Sequence, residues 1–178
     1  MQMQQIIAQS VIDTDRFVLR PLRKSDKGLI EMYAGTEQVA RMTSSIAHPL
    51  PPGATEAFIA RAQSDGRSED VWALDGTGMG ASEVMGLISL ERLDRNQSEI
   101  GYWVAPPFWN TGVAQTAVEA LLRENPQQSD TIFASVFQDN PASARVLIKC
   151  GFEYLGDAEN YSVARDAAVP TWTYTKKL

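Results

Sequence analysis

Between residues 98 and 122 the spacing of apolar side chains changes period. Ile100, Tyr102 and Val104 alternate with Glu99, Gly101 and Trp103, which predicts a strand, and Pro106 and Pro107 end it because neither can donate to a ladder. Ala114, Ala117, Val118, Leu121 and Leu122 then follow helical spacing, with Asn110 or Thr111 placed to cap. The unit is strand, short loop, helix. Gly112 has no side chain to block approach to the N–H groups that a helix start leaves unpaired, and the positive end of the dipole lies there, which suits phosphate. A glycine that merely relieves a tight turn is the competing reading.

The same pattern divides the rest of the chain. Arg16-Phe17-Val18-Leu19-Arg20 alternates up to Pro21 and predicts a first strand; Ser25 and Asp26 open a helix carrying Leu29, Ile30 and Tyr33. Thr36 to Met42 allows a short second helix, and Ala54, Phe58, Ile59 and Ala62 space a third. Residues 71–74 and 84–90 read as strands joined by DGTGMGAS. Gly76, Gly78 and Gly80 imitate a phosphate loop, but the chain continues into a strand where such a loop must enter a helix, so this is a hairpin connection. Residues 131–137 alternate as a strand. Asn140 then caps and Pro141 starts a helix bearing Ala144, Leu147 and Ile148, which stops at Gly151, a residue suited to the left-handed position after a helix. Strands over residues 152–155 and 171–175 follow, with the polar stretch Asp157 to Ala168 between them as a hairpin connection. The order predicts an α/β (α+β) domain spanning residues 1–178. Its mixed, mainly antiparallel sheet has about six or seven strands and about four or five flanking helices, with a parallel pair created by the crossover from Val104 to Thr131.

Composition narrows the function classes. Sixteen basic against twenty-two acidic residues give a net charge of −6, which disfavours nucleic acid and anionic membrane surfaces as partners. Cys150 is the only cysteine, so an internal disulfide and a multi-thiolate metal site are excluded and a reducing cytoplasm is expected. The first ten residues lack a basic region and their apolar run is only Ile6 to Ala8, so neither a leader nor a membrane span is expected there. His48, the only histidine, precedes Pro49 in a loop and reads as a surface residue. Cys150 has no nearby histidine partner in sequence and reads as buried filler.

The Thr14–Pro21 opening, EIGYWV followed by NTGVA, and Asn140-Pro141-Ala142-Ser143 leading to Lys149-Cys150-Gly151-Phe152 together resemble the GNAT superfamily of acyl-CoA-dependent N-acetyltransferases. Within it, the chain is most similar to the branch that acetylates ribosomal-protein N-termini. The resemblance covers Thr14 to Tyr174 and implies a sheet splayed at its parallel pair. It also implies acetyl-CoA as acyl donor without a metal, and direct attack by an amine acceptor in a ternary complex. The acceptor is a peptide N-terminus or a small amine; the protein would be a monomer or homodimer.

Carried over residue by residue, the resemblance places the donor diphosphate on Trp109-Asn110-Thr111-Gly112-Val113-Ala114, with backbone N–H groups as far as Gln115 available. The pattern's first position is Gln or Arg, and Trp109 departs from it. Trp103, Val104 and Ala105 would pair with the pantetheine arm like an added strand and steady the oxyanion. Glu99 stands where such enzymes often place a base, with Glu91 as the weaker candidate, because an ammonium must lose a proton before it attacks. Many relatives carry a tyrosine acid seven residues after the Asn140 position; here it is Leu147, and Ser143 is the nearest substitute. Asn140 is both helix cap and implied donor contact. The acceptor is expected between the early helices, with the His48 loop, and the Asp157–Ala168 hairpin. Leu147 and Trp109 keep a second reading open: a domain that binds acyl-CoA or a protein partner without turnover.

Overall fold

The computed structural model describes residues 9–178, so the apolar run Ile6–Ala8 lies outside the described residues. Among these residues, eight strands form one sheet in the order β1-β2-β3-β4-β5-β6-β8-β7. They are β1 (Ile12–Asp13), β2 (Val18–Pro21), β3 (Glu69–Asp75), β4 (Gly86–Arg92), β5 (Gln97–Val104), β6 (Thr131–Phe137), β7 (Glu153–Ser162) and β8 (Ala167–Lys177). Among the described residues, five α-helices flank it: α1 (Lys27–Ala34), α2 (Glu37–Ala40), α3 (Ala54–Gln63), α4 (Val113–Glu124) and α5 (Pro141–Lys149). All neighbours pair antiparallel except β5 with β6.

Two differences from the sequence reading concern the strands. The two-residue β1 is an eighth strand, too short to show alternation. The stretch Asp157–Ala168 is for the most part paired β-structure, with residues 163–166 alone forming the turn. Its residues are exposed on both faces of an edge strand, so no period-two signal marks them.

Alternation gives each face its own core. Ile100, Ile132, Ala134 and Tyr174 meet Val113, Ala117, Leu121 and Leu147 of α4 and α5 on one side. Val71, Ala73 and Leu87 meet Ile30 of α1 and Ile59 of α3 on the other, where Trp103 is packed against them. The start of α1 and the end of β3 are tied to β2 by Arg20, a buried side chain whose two Nη atoms bond both Asp26 carboxylate oxygens at 2.9 and 2.8 Å, and whose Nε bonds Asp75 at 2.7 Å. Asp26 immediately precedes α1, so the ion network fixes where that helix begins.

α5 starts and stops as its sequence directs. Asn140 Oδ1 accepts from Ser143 N–H at 3.4 Å with Pro141 at the first helical position. At the other end Gly151 (φ 88°) donates to Ile148 and Phe152 N–H to the Leu147 carbonyl at 3.0 Å, closing the last turn. Asn140→Ala removes the cap and is expected to lower stability by about 1 kcal/mol, read as a shifted urea midpoint at unchanged m.

Candidate functional site

The sheet opens where its parallel pair ends. β5 and β6 are paired only through Gln97↔Thr131, Ser98↔Ile132 and Glu99↔Phe133. Beyond that, β5 follows β4 to Gly86↔Val104, while β6 follows β8 to Phe137↔Thr171. Each strand keeps its antiparallel partner and twists away from the other, leaving a gap.

The β4–β5 ladder decides which backbone groups face that gap. Ala105 N–H donates to Met85 O at 2.8 Å and Leu93 N–H to Gln97 O at 2.9 Å, so odd-numbered residues of β5 bond β4 and even-numbered ones point to β6. Trp103, expected to offer backbone groups to a donor, therefore turns them to β4, and Ala105, expected to do the same, gives its N–H to Met85 and accepts at its carbonyl from Phe108 N–H at 2.9 Å. The groups facing the gap belong to Tyr102 and Val104, and the Val104 carbonyl accepts from the Trp109 indole N–H at 2.6 Å. Side chains split the same way: Glu99, Gly101 and Trp103 line the α1–α3 side, while Tyr102 and Val104 pack on the α4–α5 core.

The loop after β5 leads into α4 through two left-handed residues, Asn110 (φ 59°) and Gly112 (φ 78°). Gly112 itself is the N-cap, where Asn110 or Thr111 was expected, and no side chain caps the helix. The Thr111 hydroxyl is turned to the Phe108 carbonyl, which removes it from the helix start. Asn110, Thr111 and Gly112 are exposed; Val113 packs its side chain into the core, while Ala114 and Gln115 are half-buried. The N–H groups of the first helical turn are thus free of side-chain caps, and no β-carbon stands before them. One N–H of the Gln115 side-chain amide donates to Glu119 at 2.9 Å, which leaves its backbone N–H as the group at the helix start.

Ser143, in the first turn of α5, donates its hydroxyl to the Tyr102 phenol at 2.9 Å, and that phenol donates to the Ser143 carbonyl at 3.2 Å. Burial pushes Tyr102 up to about 12, so it stays protonated through neutral pH. The sequence reading placed Tyr102 in an aromatic cluster that is mostly core. Its parity with buried Ile100 was the available signal, because a phenol among apolar neighbours needs a partner for its hydroxyl. Leu147, where a tyrosine acid was sought, is fully buried core. Cys150 is buried too, its thiol pushed up to about 11 by burial and then by Glu119, which leaves little thiolate.

On the other face lies a cleft of about 870 Å³ between the sheet, α1, α3 and the α2–α3 loop. Across its floor run Glu69, Glu91 and Glu99, directly opposite one another on β3, β4 and β5. Burial and then Glu91 hold the Glu99 carboxyl above its usual range, and the same two causes, burial first, raise Glu69. At the far end Thr171 Oγ1 is buried with no hydrogen-bond partner among the described residues. Met42 to Ala47 line the cleft and the β7–β8 turn closes on them: Val163 N–H donates to Ser44 O at 3.0 Å. Arg165 bonds the Arg41 carbonyl at 3.0 and 2.7 Å and Asp139 at 2.6 and 3.0 Å. His48 is exposed and outside this lining.

Comparison with known proteins adds four findings. The acetyltransferase (GNAT) domain family matches residues 16–153. An uncharacterized N-acetyltransferase, YoaA of Bacillus subtilis (strain 168), is 25% identical over 174 residues, covering 93% of this chain and 95% of that one. Among solved structures, RimL, a ribosomal L7/L12 α-N-protein acetyltransferase in complex with coenzyme A, superposes with a TM-score of 0.81 at 14% identity over 95% of this chain and 98% of that one. Spermidine N-acetyltransferase from Vibrio cholerae, in complex with CoA and spermine, does so with 0.77 at 16% over 92% and 96%.

Proposed function

The chain belongs to the acetyltransferase (GNAT) family and is an N-acetyltransferase, and from that premise we propose how its residues divide the reaction. The observation that carries the reading is the gap between β5 and β6, with a base candidate on one face and a hydroxyl pair on the other. Two features fit an acyl-CoA donor: an uncapped helix start behind a glycine, and strand edges at Tyr102 and Val104 without a backbone partner on β6. When bound, acetyl-CoA supplies the activated thioester. The N–H groups of residues 113–115 hold the diphosphate, and the free edge of β5 orients the pantetheine arm and the thioester carbonyl.

Glu99 accepts the proton of the acceptor ammonium from the α1–α3 side, its raised affinity for protons bringing it nearer the working pH. Ser143 and Tyr102 hold a proton for the departing sulfur on the α4–α5 side. A thiolate leaves readily, so this help is modest. Tyr102→Phe and Ser143→Ala are each expected to lower kcat about 10-fold without changing acetyl-CoA affinity, and the double variant to be no slower than either, because the two hydroxyls act as one unit.

The acceptor is an amine lying along the cleft, with Thr171 offering its unpaired hydroxyl and the acidic floor favouring a cation. Both a protein N-terminus and a small amine match this chemistry. Mixing the protein with acetyl-CoA and a panel of peptides and amines, while following free thiol, tests the reading. Thiol release that depends on one acceptor class is expected. Stabilisation by acetyl-CoA with no release across the panel replaces it with an acyl-CoA-binding domain.

A further inference from the structure

The proposed donor site has a charge problem that its own loop does not solve. Residues 105–118 contain no lysine, arginine or histidine, and Trp109, where a basic side chain was sought, turns its indole to the Val104 carbonyl. The α4 N-terminus contributes about half an elementary charge, against about two negative charges on a diphosphate.

A cation does stand there, delivered from the far end of the sequence. Arg16 lies in the turn between β1 and β2, and its Nη1 is 3.3 Å from the point where a β-carbon on Gly112 would be. The turn is held from several directions. Thr14 N–H donates to the Phe17 carbonyl at 3.0 Å, and Thr14 Oγ1 accepts from Arg16 and Phe17 N–H at 3.1 and 2.9 Å. Ile12 and Phe17 on either side are buried in the same core as Val113 and Ala117 of α4. Arg123, near the end of α4, donates to the Asp13 carbonyl at 3.1 Å. Arg16 itself is half-buried, and among the described residues its guanidinium pairs with no carboxylate. An arginine held in place by its backbone, unpaired, and set against an uncapped helix start is arranged for a planar anion with several oxygens.

We propose that Arg16 is the cationic residue of the donor site, its guanidinium binding the 5′-diphosphate of acetyl-CoA in front of Gly112 and supplying the charge that the Trp109 loop lacks. This rests on reading residues 110–115 as the diphosphate site.

The test is the dissociation constant of wild type, Arg16→Gln and Arg16→Lys for acetyl-CoA, 3′-dephospho-acetyl-CoA and S-acetylpantetheine, each at low and high salt. Arg16→Gln is expected to weaken the two diphosphate ligands about 10-fold or more, to leave S-acetylpantetheine unchanged and to flatten the salt dependence, with Arg16→Lys recovering part of the loss. Unchanged acetyl-CoA affinity overturns the proposal, as does an equal loss for S-acetylpantetheine, which marks a merely structural role. A loss that disappears with the 3′-dephospho ligand overturns the assignment to the diphosphate. Wild-type protein that binds no acetyl-CoA overturns the donor-site reading itself, an outcome visible without any variant.

Discussion

Gly112→Val is expected to raise the acetyl-CoA dissociation constant about 100-fold while the protein still folds. Three effects of the substitution coincide. Valine at φ 78° is strained by about 1–2 kcal/mol, because a β-branched side chain crowds the left-handed conformation. Its β-carbon meets the Arg16 guanidinium at 3.3 Å and pushes it aside. Its methyl groups then stand where a phosphate must approach the first N–H groups of α4. Only the first effect weakens the fold, and about 2 kcal/mol is within what a domain of this size tolerates. A thermal melt confirms folding and a calorimetric titration reads the affinity; a folded variant that binds as wild type removes residues 110–115 from the donor site.

Glu99→Gln is expected to lower kcat by about 10²–10³-fold, the usual worth of a positioned base. The sign of its pH dependence follows from the environment. Burial and the facing Glu91 disfavour the charged form, so the carboxylate takes up its proton at a higher pH than an exposed glutamate does. In wild type, activity falls as pH drops through that raised value; in the variant this limb disappears and what remains is the protonation of the acceptor amine. Stability moves the opposite way. A group whose folded-state pKa lies above its unfolded one stabilises the fold only at low pH, and this contribution is lost as pH rises through the folded value. Glu99→Gln is therefore expected to melt higher than wild type at pH 7, the advantage fading below about pH 4, where the unfolded-state carboxyl is protonated too. A wild-type pH–rate profile in the variant assigns the base to another group.

The parts of the site read from sequence are those written in local chemistry. The change from period two to helical spacing marked β5 and α4, Asn140-Pro141 marked the start of α5, and Gly151 marked its end. What depends on a partner strand was not legible. Whether Trp103 or Val104 faces the gap is set by the register of β4 against β5, and nothing within residues 103–105 encodes it. The helix cap passed to Gly112 because Thr111 is drawn to the Phe108 carbonyl, an outcome of loop geometry. The Tyr102–Ser143 contact joins residues 41 positions apart, and Arg16 reaches Gly112 only because β1 and β2 fold onto α4. Asp157–Ala168 was misread for a different reason: an edge strand wet on both sides has no hydrophobic rhythm to detect.

With so short a stretch of β5 and β6 joined, a donor arm seated as proposed would act as a removable rung between the two halves of the sheet. Amide exchange at Tyr102 and Val104 is then expected to gauge occupancy: rapid in the free protein, where these residues have no pairing partner on β6, and slowed in step with saturation once the arm is seated.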